Sequence, residues 1–398
     1  MDHLKLHKLY SDFIHDNPLK RTTLLGNNEI WTYIDCYPKI NININTQENI
    51  QHTSKTISKC NNNKKPDNID CLLNNLNLSQ DSVIVGDSIV FLHGIAGTAG
   101  EFFGVMKILL SKGYRVLSVQ YPIYDSIDEW CRGFDCFLDI LQLNSIHLYG
   151  NDLGGYLSLH FKNEYPQRVK SLILCNTFIS TMNVPLSTIA STFLHLCPHF
   201  ILVKLISDIF NNPSFHDYNN YIDYKYIGYL IESYNFVMDQ ITNVSQVDLA
   251  GRLSLLLSNT PLSNFSRLFF DKYKCSNSLN DSNTYITIIT TSDSSLDENI
   301  YMETINYLKS ISRVAQLKYG GDFPHLSNFE DIAIFCQVHL RNCGAKTFQF
   351  NKTNTSSNKI YKESNSLKQT KHIPKAYEMP YPGVVAVHDT IWDISKDN

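Results

Sequence analysis

Between residues 83 and 345, short apolar runs alternate with segments whose apolar residues recur at helical spacing. DSIVFLHG reads as a buried strand ending at Gly94, and EFFGVMKILLSKG as a helix stopped by Gly113. YRVLSVQYP is a strand broken by Pro122, and SIDEWCRGFDCFLDILQLN is a helix. SIHLYGND and GGYLSLHFKNEYPQ repeat the unit, and VKSLILCNT follows as a strand. Further on, TYITIITTSD, ENIYMETINYLKSI, VAQLKYGGD and NFEDIAIFCQVHLRN give strand, helix, short strand and final helix. Repeated β–α units predict an α/β architecture, a mostly parallel sheet with helices on both faces. From 181 to 283 the alternation gives way to helical patterns such as HFILVKLISDIF and VDLAGRLSLLL, as a helical cap would.

The pattern divides the chain. Residues 83–180 and 284–345 form the core, 181–283 the cap, and 1–39 an N-terminal segment joining the core. Residues 40–82 are dominated by Asn, Ser, Lys and Thr, a low-complexity insertion that cannot bury a core. Residues 346–398 are polar with few periodic signals and read as an unstructured tail, with AYEMPYPGVVAVHDTIWDI its more apolar part. A length of 398 residues allows one large domain or two ordinary ones, and 43% apolar residues suffice for a sizeable core. A formal net charge of -4 points to no nucleic-acid or anionic-membrane partner. The ten cysteines contain no C-x-x-C pair, and several lie in apolar runs, which suits buried thiols in a reducing compartment. The first residues carry no signal-peptide pattern, and no apolar window is long enough to form a transmembrane segment. A cytoplasmic location is therefore the expectation.

The segment richest in chemistry is Gly150-Asn151-Asp152-Leu153-Gly154-Gly155, where a strand runs through a sharp turn into a helix. This is the setting of a nucleophile elbow, with flanking glycines because the turn is tight and the helix packs close to the strand. Upstream, the strand IVFLHG ends at His93-Gly94-Ile95. Together these two pieces point to the α/β-hydrolase fold. In that fold the backbone N–H groups of Leu153 and Ile95 would form the oxyanion hole, and His93 would order its loop.

The elbow centre is Asp152, not Ser or Cys. Aspartate can act as a nucleophile on this fold through an ester intermediate, as in haloalkane dehalogenases and epoxide hydrolases. Either mechanism needs an imidazole. The loop that ordinarily carries it reads Gly320-Gly321-Asp322-Phe323-Pro324-His325, so Asp322 fills the histidine position and His325 falls three residues later as a displaced base. Asp293 follows the strand ITIITTS and holds the position of the triad acid. Asp152, Asp293 and Asp322 are expected to converge on one pocket, and carboxylates so close cannot all ionise cheaply. No metal and no cofactor is expected.

The runs FLHGIAGTAGEFF, GYRVLSVQYPIY, LDILQLNSIHLYGNDLGGYLSLHF and VKSLILCNTF, with LAGRLSLLL, YGGDFPHL and FCQVHL, resemble the maspardin family, the acid-cluster proteins associated with spastic paraplegia. The resemblance covers roughly residues 17–37 and 83–345. Family members keep serine at the elbow, in G-x-S-L-G-G, where this chain has Asp152. They carry asparagine in the G-G-N-F-P loop, where this chain has Asp322. The resemblance implies a cytosolic protein without proven hydrolytic activity. It further implies association with endosomal or trans-Golgi membranes and action through protein partners.

Three functional readings follow. The first is a pseudo-hydrolase that binds a protein partner, as an adaptor or regulator in trafficking. The second is a hydrolase with Asp152 as nucleophile and His325 as base. The third is a small-molecule sensor with a pocket under the cap. The aromatic run DYNNYIDYKYIGYLIESYNF is read as cap packing, His147 and His339 as structural, and Asp135 and Asp139 as solvent-facing.

Overall fold

The computed structural model describes residues 5–24, 29–38, 83–84, 86–181, 191–210, 224–258, 260, 262, 285–308 and 312–350. The insertion at 40–82, the tail beyond 350 and parts of the cap lie outside the described residues.

Helix α1 (Lys5–Asp16) leads into a hairpin of β1 (Lys20–Thr23) and β2 (Ile30–Cys36). The short β3 (Val83–Ile84) precedes β4 (Ser88–Leu92), α2 (Phe103–Ser111), β5 (Arg115–Gln120), α3 (Ile127–Ile140), β6 (Ile146–Asn151), α4 (Leu153–Glu164) and β7 (Val169–Cys175). Then come the described cap helices α5 (Ser191–Leu194), α6 (His199–Ile209), α7 (Tyr224–Ile241) and α8 (Gln246–Leu257). The chain returns to the core with β8 (Tyr285–Thr291), α9 (Glu298–Leu308), β9 (Ser312–Leu317), α10 (Pro324–Ser327) and α11 (Phe329–Asn342), and the described part ends in β10 (Gln349–Phe350).

Eight strands form one sheet in the order β1-β2-β5-β4-β6-β7-β8-β9, parallel from β5 to β9. Every residue of β4 and β6 is buried, because helices cover both faces of a parallel sheet and leave no polar side. The register aligns Leu92 with Gly150, Gly150 with Leu174 and Leu174 with Ile288, so the central strands end along one edge. Ligand sites of open α/β sheets lie at that edge.

The N-terminal segment, for which the sequence reading proposed no elements, contributes α1 and an antiparallel hairpin at the sheet edge. Its attachment is chemical as well as apolar. Trp31 of β2 stacks on Phe137 of α3, with ring centroids 4.7 Å apart. Helix α3 turns that face inward because Ile127, Trp130, Cys131, Phe134, Phe137 and Leu138 recur at helical spacing. The Ser126 side chain caps its start by accepting the Glu129 N–H at 3.2 Å.

Across the same junction the Arg115 guanidinium donates twice to Asp35, at 3.0 and 2.8 Å. The two side chains are 10% and 7% exposed. Removing one partner leaves a buried charge uncompensated. Asp35→Ala is therefore expected to lower unfolding free energy by about 3–5 kcal/mol in urea titrations.

Two expectations need correction. Residues 346–350, assigned to the tail, are part of the fold: β10 pairs with β3, and Lys346 exchanges hydrogen bonds with Asp87. The pairing buries Phe348. Asp135 is half-buried and pairs with Arg168 at 2.7 Å, so it does not simply face solvent; Asp139, which shares that arginine, is exposed. No helix among the described residues is long and apolar enough to cross a membrane.

Candidate active site

β6 ends at Asn151 and α4 starts at Leu153, so the reversal rests on Asp152 alone. Its backbone sits at φ 49°, ψ −121°, a region that costs a residue with a Cβ about 1–3 kcal/mol. Neighbouring groups hold it there. The Asp152 N–H donates to the Cys175 carbonyl at 3.0 Å, and the Asp152 carbonyl accepts the Thr177 hydroxyl at 2.8 Å. The flanking glycines are required by contact. A Cβ on Gly150 would lie 2.4 Å from the Gly154 carbonyl oxygen, and one on Gly154 would lie 2.3 Å from the Leu92 carbonyl oxygen.

The turn presents the half-buried Asp152 side chain to the loop after β4. Its Oδ2 accepts the Ile95 N–H at 2.9 Å, and the Leu153 N–H donates to the same carboxyl group. Both backbone donors assigned to an oxyanion hole thus bind a carboxylate of this chain itself. Burial, the largest influence, pushes the Asp152 carboxyl up to about 6. The two N–H groups oppose that shift, whereas Asp322 and Glu101 add to it.

Asp322 is held on the far side of the site. One of its oxygens accepts the Ser294 hydroxyl at 2.9 Å, the Ser295 N–H at 2.7 Å and the Ser295 hydroxyl at 2.8 Å. Asp293 accepts the N–H groups of Gly320 and Gly321 at 2.9 and 2.8 Å, and so braces the loop that carries Asp322. Burial raises both carboxyls, and Asp293 raises Asp322 further. Asp322 thus acts on Asp152, and Asp293 on Asp322, through charge alone.

His325 is elsewhere. It is fully buried, packed on Phe102 with ring centroids 4.6 Å apart, and its Nε2 lies 3.5 Å from Glu101 Oε1. Neither ring nitrogen makes a hydrogen bond, so the ring does not engage Asp152. His93 donates Nδ1–H to its neighbouring Gly94 carbonyl at 2.7 Å and stacks on Tyr121 at 4.5 Å. Burial, then the Arg252 charge, hold it well below the usual histidine range, so it is neutral.

Four residues of the site escaped the sequence reading. Glu101 is the buried acid facing His325. Arg252, in the middle of the buried stretch Leu249–Leu256 of α8, donates to the Ile95 and Gly97 carbonyls at 3.2 and 2.8 Å and so anchors the loop that presents the Ile95 N–H. An arginine inside VDLAGRLSLLL was the available signal. Asn176 bonds Thr291 and the Gly321 carbonyl, tying the ends of β7 and β8 to the Asp322 loop, and Thr177 holds the elbow.

Comparison with known proteins agrees with this geometry. Residues 87–202 match the family model described as alpha/beta hydrolase fold. A hydrolase from Pseudomonas aeruginosa PA01 superposes with a TM-score of 0.53 at 12% identity, covering 82% of this chain and 99% of that one. A thermophilic esterase from Thermogutta terrifontis superposes at 0.52 and 12% identity, covering 82% and 98%. Likeness at that identity shows the fold alone, which is the α/β-hydrolase fold. Maspardin from Danio rerio is 33% identical over 255 residues, 64% of this chain and 74% of the relative. The chain belongs to the maspardin family. Maspardin from Homo sapiens, 32% identical over 255 residues, covers 63% of this chain and 74% of its own length.

Proposed function

We propose that this chain is a catalytically silent member of the maspardin family that works as a protein-binding adaptor or regulator. The observation that carries this reading is that, among the described residues, no imidazole is hydrogen-bonded at the elbow. Asp322 stands where the base would be, pinned by Ser294 and Ser295, and His325 turns to Glu101. A nucleophile or attacking water needs a base within hydrogen-bond reach. Asp152 itself lies on the Ile95 and Leu153 N–H groups, where a substrate oxyanion would have to bind. Its carboxylate keeps substrate charge out by repulsion as well as by occupancy. The family resemblance suggests endosomal or trans-Golgi membranes as the place of work, with the partner's recognition surface outside the elbow.

Purified full-length protein is expected to hydrolyse p-nitrophenyl esters at the rate of buffer alone. The double variant Asp152→Ser, Asp322→His puts a hydroxyl at the elbow and an imidazole on the loop that Asp293 braces, and is expected to gain measurable turnover. A stoichiometric partner captured by cross-linking is expected to remain bound to Asp152→Ala. The reading fails if wild-type protein turns over esters, epoxides or haloalkanes and Asp152→Ala abolishes that turnover. It fails equally if His325→Ala traps a covalent ester on Asp152.

A further inference from the structure

At the opposite end of the sheet from the elbow, side chains of three elements meet around one hydroxyl. Ser171, at the start of β7, is fully buried and pairs in register with His147 of β6. Its Oγ lies 2.6 Å from His147 Nδ1 and 2.7 Å from His339 Nε2 of α11. The Cys343 thiol, at the C-terminal cap of α11, hydrogen-bonds the same hydroxyl. Both histidines are 1% exposed, and Cys343 is half-buried. The candidate ligand atoms of His147, His339 and Cys343 all lie within 4.8 Å of one another.

A serine hydroxyl has one proton, so it can donate to only one of these three atoms. The far nitrogens of the two rings suggest which lone pairs point inward. His339 Nδ1 is 2.8 Å from the Thr287 hydroxyl, and His147 Nε2 is 3.8 Å from Asp87 Oδ2, where no other hydrogen bond satisfies it. The Thr287 hydroxyl orients the His339 ring from outside, as outer partners orient imidazoles that bind metal. His339 and Cys343 are four residues apart on a helix end, so their side chains share a face.

We propose that His147, His339 and Cys343 form a binding site for a borderline-soft divalent cation of the zinc class. Two imidazole nitrogens and a thiolate are the donor set such ions prefer over magnesium or calcium. Ligand atoms around tetrahedral zinc stand roughly 3.4–3.7 Å apart at ordinary bond lengths. The three atoms therefore need to close by at most about 1 Å, within the range of small side-chain rotations. The Ser171 hydroxyl turns aside by rotation about its Cα–Cβ bond, and a water completes the fourth position. On binding, the Cys343 thiol loses its proton to solvent, since the thiolate is the ligand. The half-buried Cys343 marks the way in. The ion would fasten the end of α11 to β6, far from the elbow.

The test uses chelator-stripped full-length protein titrated with cobalt(II) as a spectroscopic probe, then with zinc(II). The expected result is one equivalent of cobalt bound, with visible bands of four-coordinate geometry and a near-ultraviolet thiolate-to-metal band. Zinc displaces it and raises Tm. Cys343→Ser is expected to fold, to lose the thiolate band and to show no zinc-dependent rise in Tm. His147→Gln is expected to weaken cobalt binding at least about 100-fold. No four-coordinate spectrum in the wild-type protein overturns the proposal, and so does a thiolate band of unchanged intensity in Cys343→Ser, which would place the metal on another of the ten cysteines.

Discussion

Asp152→Asn is expected to gain on the wild-type protein by roughly 2 kcal/mol of unfolding free energy between pH 4 and pH 7.5. The carboxyl stands at about 6 in the folded protein against an ordinary 3.8. A raised acid holds a proton in the folded state that the unfolded chain has already released. Its contribution is therefore fully present below about pH 4 and is lost as pH rises through 6. Above that, the folded protein carries a buried carboxylate whose cost the Ile95 and Leu153 N–H groups only partly offset. Asparagine keeps the acceptor oxygen and the shape but has no proton to lose. Asp293 and Asp322 are also raised, yet they are common to both proteins and largely cancel in the difference. Urea denaturation of the two proteins at the two pH values measures the change; parallel stability curves would falsify the assignment of an elevated pKa to Asp152.

A methyl group added at Gly154 is expected to cost about 3 kcal/mol or more, enough to leave the protein unfolded or insoluble at physiological temperature. The new Cβ would meet the Leu92 carbonyl oxygen at 2.3 Å and the His93 carbonyl oxygen at 2.6 Å. Those are backbone atoms at the end of β4, a central strand paired to both β5 and β6. Relief requires moving the strand or the start of α4, and either disturbs the elbow. Gly228 is the control. Nothing lies within 4 Å of its Cβ position in α7. Gly228→Ala should therefore be neutral or raise stability by up to about 1 kcal/mol, because alanine loses less backbone entropy in a helix. Equal losses at both positions would show that close approach is not what Gly154 provides.

Most of the core was legible because its signals are local. The fully buried strand SIVFL is apolar in four of its five residues, and the elbow is six consecutive residues. Asp293 and Asp322 could be assigned to loops because they lie two and five residues past the ends of β8 and β9. The N-terminal hairpin was not. β1 is four residues long, none of them fully buried, and neither its sequence KRTT nor its neighbours carry a periodic stripe. What joins it to the sheet is the pairing of β2 with β5 and an arginine–aspartate pair 80 residues apart in the chain, partners no windowed pattern can see. Glu101 and Arg252 were missed for the same reason: their partners come from other segments, and a charged residue in a polar-looking loop or a mostly apolar helix reads as a solvated side chain until the contacts are seen. His325 was located but not oriented. Only the packing of Phe102 against the ring shows which way it faces.

The small clip of β3 and β10 decides where the two non-core segments begin. Phe350 pairs with Val83, so the exit of the 40–82 insertion and the start of the 351–398 tail lie one strand spacing apart, roughly 5 Å. Residues joined to the fold that closely share one tether point. A partner that touched the fold at both attachment points would need to span only that distance.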